Sequence, residues 1–267
     1  MATGVETSGR AWIGALRRSQ DRLAPMAGAL SAEGLATQSA CAQWTVAQVL
    51  SHLGSGAELA LRWLDAAIAH ETPPGPESFP AVWDAWGARR PSEQAADAVA
   101  CNERHIARLE SLDDEELAAA HVTLFGLELD GGGLARIRLG EHAVHTWDIA
   151  VAFDPSAVLP ADAVALLVDS LPLLVTRTGR PVAADEEWTL PLRTTGPERE
   201  LLLRVSDAVT LEPIGAEARA TAAGTPSALT LPAEVLVRLV YGRTGTRDVP
   251  TADADTFGRL RAVFPGL

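Results

Sequence analysis

Lysine is missing from this 267-residue chain, so every one of its 22 basic side chains is an arginine. Positive charge is in short supply as well: 35 acidic residues outnumber it, and the formal net charge is −13. A protein that grips nucleic acid or an anionic membrane needs a basic face, and a chain of this sign has little from which to build one. A small molecule is the expected partner. Cysteine occurs only twice, at Cys41 and Cys101, which excludes a disulfide framework and fits free thiols in a reducing interior. Hydrophobic residues make up 47% of the chain, yet no apolar run reaches the roughly 20 residues that a bilayer-spanning helix requires. The opening "MATGVETSGRAW" lacks the basic-then-apolar order of a secretory signal, so a cytoplasmic location is expected. Arginine without lysine, together with abundant alanine, points to a GC-rich genome.

What is present is enough chain for one large domain or two small ones. Residues 10–31 place Trp12, Leu16, Leu23 and Leu30 at helical spacing. In "WTVAQVLSHL", Thr45 and Gln48 form a capping box, with Trp44 placed to staple onto Val49, so a second helix is expected from Val46 to about His70. "ETPPGPESFP" then reads as a loop. A third helix is expected from Ser92 to about Leu112, and a fourth from about Leu134 to Phe153 after the "DGGG" turn. Four such helices make a bundle.

Beyond Pro155 the periodicity changes. A helix over about 161–178 ends at Gly179, and Trp188, Leu190 and Leu192 then alternate as in a strand. Strand-like "ELLLRVS", "AVTLEPI" and "ARATAAG" follow, then a helical "PAEVLVRLVYGR" and a last helix around "TFGRLRAVF". The expected fold class is therefore α+β, with a helical domain over residues 1–154 and a smaller α+β domain over 155–267.

Within "GEHAVHTWD", Glu141 and His145 are four residues apart and share one helix face. A carboxylate and an imidazole at that spacing can reach one metal ion, and a third ligand from another helix would leave a coordination position open for water or substrate. His52, two turns into the second helix among apolar neighbours, is the candidate third ligand. Asp148 returns to the face of Glu141 and is placed to orient a ligating imidazole. The bland alternative is a Glu and a His paired by chance on a solvated face. His142 is expected at the surface. Cys101 and His105 make another i, i+4 pair, with no orienting group or oxyanion hole near it in the sequence. Cys41 is expected to pack as a small apolar group, and Trp83 and Trp86 to pack in a loop.

"SACAQWTVAQVLSHL" (residues 39–53) and "GEHAVHTWDIAVAF" (residues 140–153) resemble the two signature segments of the mycothiol-dependent maleylpyruvate isomerase family, within the DinB-like four-helix metalloproteins. There a Cys-x-x-Trp-Thr precedes a helix with a metal-ligating His, and E-x-x-x-H-x-W-D supplies a Glu and a second His. The positions here are His52, Glu141 and His145. The C-terminal part resembles the family more loosely, through a helix that ends in Gly-Arg, here Gly242-Arg243.

The resemblance implies a DinB-like bundle with a C-terminal α+β domain of the maleylpyruvate isomerase type. It also implies a zinc enzyme, or one using another divalent metal, that takes mycothiol, the small thiol of actinobacteria, as cosubstrate. A metal-activated thiolate would add to a small unsaturated, carboxylate-bearing electrophile and leave again, giving cis-trans isomerisation. If the adduct persisted, the activity would be thiol transfer. Arg243 is the family's candidate for holding a carboxylate or the thiol's hydroxyls, against the plain alternative of a cation at a helix C-terminus. No substrate signature is legible in the loops expected at 71–90 and 121–133. A metal-dependent hydrolase, active without added thiol, and a non-catalytic thiol- or metabolite-binding module are the rival readings.

Overall fold

The computed structural model describes residues 8–124, 126–215, 228–243 and 254–266. The chain is α+β and divides into two compact units between Leu159 and Pro160.

Four long helices make the first unit: α1 (Gly9–Gly28), α3 (Val46–Ile68), α5 (Pro91–Glu110) and α7 (Gly131–Phe153), with the short α2 (Ala32–Ala36) before α3. α1 packs on α5 and α7, and α3 packs on the same two helices, so α3 and α7 are neighbours in the bundle. The start of α3 is set by its cap: Gln48 N donates to Thr45 Oγ1 at 3.3 Å, and Thr45 N donates to Gln48 Oε1 at 2.8 Å. α7 starts where the Asp130 carboxylate accepts from Gly133 N at 2.6 Å.

The segment expected as a loop over 71–90 contains a helix of its own, α4 (Phe79–Gly87), which packs on α3. Trp86 is its buried anchor, and its ring lies where a Cβ at Gly54 would stand. Gly54 therefore makes room for an indole. Trp86 Nε1 donates to Glu58 Oε2 at 2.7 Å, while Trp83 is half exposed. The second expected loop, over 121–133, follows the short α6 (Asp114–Ala119) and contains a hairpin, β1 (Val122–Leu124) paired antiparallel with β2 (Leu127–Leu129).

α7 is buried on nearly every side. It carries Arg138, His142, His145, Thr146 and Asp148 into the bundle interior along with Leu134, Leu139, Val144 and Ile149. His142 is thus a core residue and not a surface one. Ser19 and Gln20 of α1 reach in to receive it: His142 Nδ1 lies 2.8 Å from Ser19 Oγ, and Nε2 lies 3.1 Å from Gln20 Oε1. The Gln20 amide nitrogen is already committed to the Val99 carbonyl, so its oxygen faces His142 and the ring carries its proton on Nε2.

In the second unit α8 (Ala161–Thr178) lies with a four-stranded sheet of order β5-β4-β3-β6, made by β3 (Trp188–Thr195), β4 (Arg199–Val205), β5 (Val209–Pro213) and β6 (Leu229–Pro232). β3, β4 and β5 are antiparallel neighbours, whereas β6 runs parallel to β3 with Leu192 opposite Leu229. Leu192, Leu201, Leu203, Val209, Leu211, Leu229 and Leu231 are buried, and α8 packs on β5. α9 (Ala233–Val240) follows β6 directly and packs on α8, and α10 (Ala254–Val263) closes the described part of the unit. The strand-like "ARATAAG" lies outside the described residues. Among the described residues no helix is long and apolar enough to cross a membrane.

Candidate metal centre

Because α3 and α7 are neighbours, His52 of one helix comes opposite Glu141 and His145 of the other. His52 Nε2 lies 3.1 Å from Glu141 Oε2, and His145 Nε2 lies 3.6 Å from the same oxygen. All three ligand atoms fall within 4.8 Å of one another. Ligands at zinc's bond lengths of about 2.0–2.1 Å stand roughly 3.3 Å apart around a tetrahedral ion, a spacing that the two measured edges bracket. Two nitrogens and one carboxylate oxygen also suit other first-row divalent ions. The side chains of His52 and Glu141 keep 32% and 31% of their surface exposed, against 9% for His145. A small molecule can therefore reach the cluster from the side of His52 and Glu141.

The tautomer of His145 is settled by its other nitrogen. Nδ1 lies 2.8 Å from Oδ2 of Asp148, a side chain with no exposed surface. A carboxylate accepts there, so Nδ1 carries a proton and Nε2, which faces Glu141, is the ring nitrogen left for a metal ion.

Burial pushes the Glu141 carboxyl up, but hydrogen bonds with His145 and His52 outweigh it and hold the group well below the usual carboxylate range. Burial pushes His145 down, and its bonds to Asp148 and Glu141 overcome that and raise it above the ordinary histidine value. For His52 burial wins over the bond to Glu141, and its pKa falls. The three side chains are thus a carboxylate flanked by two imidazoles and joined to them by hydrogen bonds.

The Cys-x-x-Trp-Thr stretch lines the same place. Ala40 N donates to the Asp148 carbonyl at 3.1 Å, and Ser39 N to the Trp44 carbonyl at 3.0 Å, so this loop is pinned to α7. The Trp44 ring then stands 5.0 Å from that of His52 and 6.1 Å from that of His145, centroid to centroid, and the two imidazoles meet edge-on at 4.8 Å. An indole over both rings limits their rotation and keeps water from that side. Cys41 is half-buried, and one ligand atom each of Cys41, His145 and Asp148 also lies within 4.8 Å of the others. Its sequence signal was the motif itself, which marks the loop without showing where the thiol goes.

Three sequence candidates remain. Cys101 and His105 are both buried in α5. Burial pushes the Cys101 thiol up and takes His105 down to about 3, and neither ring nitrogen of His105 has a hydrogen-bond partner among the described residues. A thiol held protonated beside an unoriented imidazole is not an activated nucleophile. Arg243 belongs to the second unit, just after α9; its Nη1 donates to the Tyr241 carbonyl at 2.6 Å, and its own carbonyl accepts from Arg238 Nη1 at 3.2 Å.

Comparison with known proteins places these features. The family model described as the mycothiol maleylpyruvate isomerase N-terminal domain matches residues 16–150, which include all three clustered side chains and Asp148. The fold is similar to a crystal structure of the mycothiol-dependent maleylpyruvate isomerase, with a TM-score of 0.64 and 14% identity over 94% of this chain and 98% of that one. A histidine-to-alanine mutant of that enzyme gives a TM-score of 0.63 at 13% identity, with the same coverage. Identities this low speak for the fold alone. No curated protein matches the chain significantly.

Proposed function

The chain belongs to the family of the mycothiol maleylpyruvate isomerase N-terminal domain, and from that premise we propose that it is a metal- and mycothiol-dependent enzyme acting on a small electrophilic carboxylate. The observation that carries this reading is the meeting of His52 Nε2, His145 Nε2 and Glu141 Oε2 across two helices at 3.1 and 3.6 Å. These three would hold one divalent ion, with zinc the default for two imidazoles and a carboxylate. Such an ion, bound by three protein ligands with a position open, lowers the pKa of a thiol and supplies thiolate at neutral pH.

Each protein group has a task in this scheme. Asp148 takes the Nδ1 proton of His145 in a hydrogen bond and so keeps Nε2 free for ligation. Glu141 brings the single negative charge among the three ligands. Trp44 covers the two imidazoles and leaves the side of His52 and Glu141 open for the thiol and the electrophile. Addition of the thiolate sulfur to one carbon of a carbonyl-conjugated cis alkene turns the double bond into a single bond. Rotation and expulsion of the same thiolate then give the trans isomer. Retention of the carbon–sulfur bond, with a proton taken up at the neighbouring carbon, would make the activity a thiol transfer. Arg243 is the proposed anchor for a substrate carboxylate, by its match to the family's Gly-Arg helix end.

The test combines metal analysis with a thiol-dependence assay. About one divalent ion per chain is expected, together with turnover of a cis-unsaturated keto acid only when thiol is added. His52→Ala and His145→Ala should each lose the ion while remaining folded. Full metal content in both variants, or turnover without any thiol, would remove this reading; the second result would favour a metal-dependent hydrolase.

A further inference from the structure

Two arginines among the described residues are buried, and they are treated differently. Arg238 is paired with Glu234 at 2.7 Å. Arg138, on α7 one turn before Glu141, has no carboxylate in an ion pair among the described residues; its Nη2 donates to the Leu53 carbonyl at 3.2 Å and to Asn102 Oδ1 at 3.1 Å. Asn102 is oriented for this by giving its amide nitrogen to the Ala98 and Leu53 carbonyls. Arg138 Nε is buried with no hydrogen-bond partner among the described residues. Room for the group comes from Gly56, where a Cβ would stand 2.5 Å from Nη1. The guanidinium is therefore built into the interior between α3, α5 and α7, beside the residue that follows His52.

A buried cation without its own counter-ion is costly, and here the charge that compensates it is the centre itself. Arg138 stands three residues before Glu141 on α7, and its Nη2 bonds to the carbonyl of Leu53, the residue after His52, so the guanidinium lies beside both ligand-bearing stretches. With a divalent ion in place, the charges of Arg138, Glu141, Asp148 and the ion leave this interior net positive. An anionic ligand at the open position neutralises it, and a neutral ligand does not.

We propose that Arg138 is a positioning and selectivity residue of the metal centre, whose fixed buried charge makes the open position favour anionic ligands, thiolate above all, over neutral ones. The proposal rests on the metal-binding reading given above. Its test uses the full chain loaded with cobalt(II), with azide as the anionic probe and imidazole as the neutral one, both followed in the visible cobalt bands. Arg138→Gln and Arg138→Met should keep the cobalt stoichiometry and weaken azide by about tenfold while leaving imidazole unchanged, and Arg138→Lys should restore azide binding. Should both neutral variants fail to fold, Gly56→Ala displaces the guanidinium with its charge intact and is expected to weaken azide selectively as well. Equal losses for both probes, or no loss for either, would overturn the proposal and leave Arg138 a structural residue. A wild-type chain that takes up no cobalt would instead remove the metal-binding reading itself, and with it this proposal.

Discussion

His145 and Asp148 sit one turn apart on α7 with Nδ1 and Oδ2 at 2.8 Å, and the carboxylate is shut off from solvent. That bond leaves Nε2 as the only nitrogen of the ring able to serve as a ligand. Asp148→Asn replaces the acceptor with an amide that can present either end to the ring. Metal affinity should fall by about 10–100-fold, read by competition with a chromophoric chelator, while the far-ultraviolet circular dichroism stays that of the wild type. An unchanged affinity would show that Trp44 alone is enough to orient His145.

Cys41 approaches His145 and Asp148 closely enough to form a second set of ligand atoms. If an external thiol is the nucleophile, Cys41→Ser combined with Cys101→Ala should keep the metal and most of the thiol-dependent turnover. The expected loss is in stability, on the order of 1 kcal/mol, from the buried Cys101 site. A folded, metal-loaded double variant without turnover would assign the chemistry to a protein thiol. Loss of the metal itself would make Cys41 a ligand that closes the site, as in a binding module.

His105 and His142 are buried as neutral imidazoles, with burial pushing each down to about 3. In the unfolded chain both return to an ordinary value of about 6.5. Between pH 6.5 and 3 the unfolded state therefore binds protons that the folded state refuses, and stability is lost as the pH falls through this window. Each group contributes a slope of about 1.4 kcal/mol per pH unit. His142→Asn cannot take up that proton, so urea melts from pH 6 to 4 should show a slope shallower by about that amount, whatever the variant costs at neutral pH. An identical slope would mean that His142 is protonated in the fold.

Gly54 lies under the Trp86 ring, two residues after His52. Gly54→Ala improves helix propensity, yet the added methyl must displace an indole that is 2% exposed and bonded to Glu58. The clash should win, with a net loss of about 1–3 kcal/mol in urea denaturation. A stabilised variant would show that α4 moves away from α3 at little cost.

What the sequence determined by itself was local. Thr45 and Gln48 placed the start of α3 through a cap made within four residues, and the four-residue spacing of Glu141 and His145 put both on one face of a helix wherever that helix went. The change from helical to alternating periodicity located the strands from Trp188 to Pro213. Tertiary structure decided the rest. Nothing in the spacing of α7 says that α3 lies beside it, and that neighbour is what brings His52, 89 residues before Glu141, to within 3.1 Å of it. His142 looked like an outward residue because it faces away from Glu141. α7, however, is covered on that side too by Ser19 and Gln20 of α1, and a helix buried all round has no inside-outside contrast to read. β6 is four residues long and gains its place only by pairing in parallel with β3, far off in sequence. Arg138 gave no signal, and Cys41 only that of its loop, for the same reason: a side chain's type and position along its own helix or loop are local, whereas the carbonyl, glycine or carboxylate that receives it comes from another part of the chain.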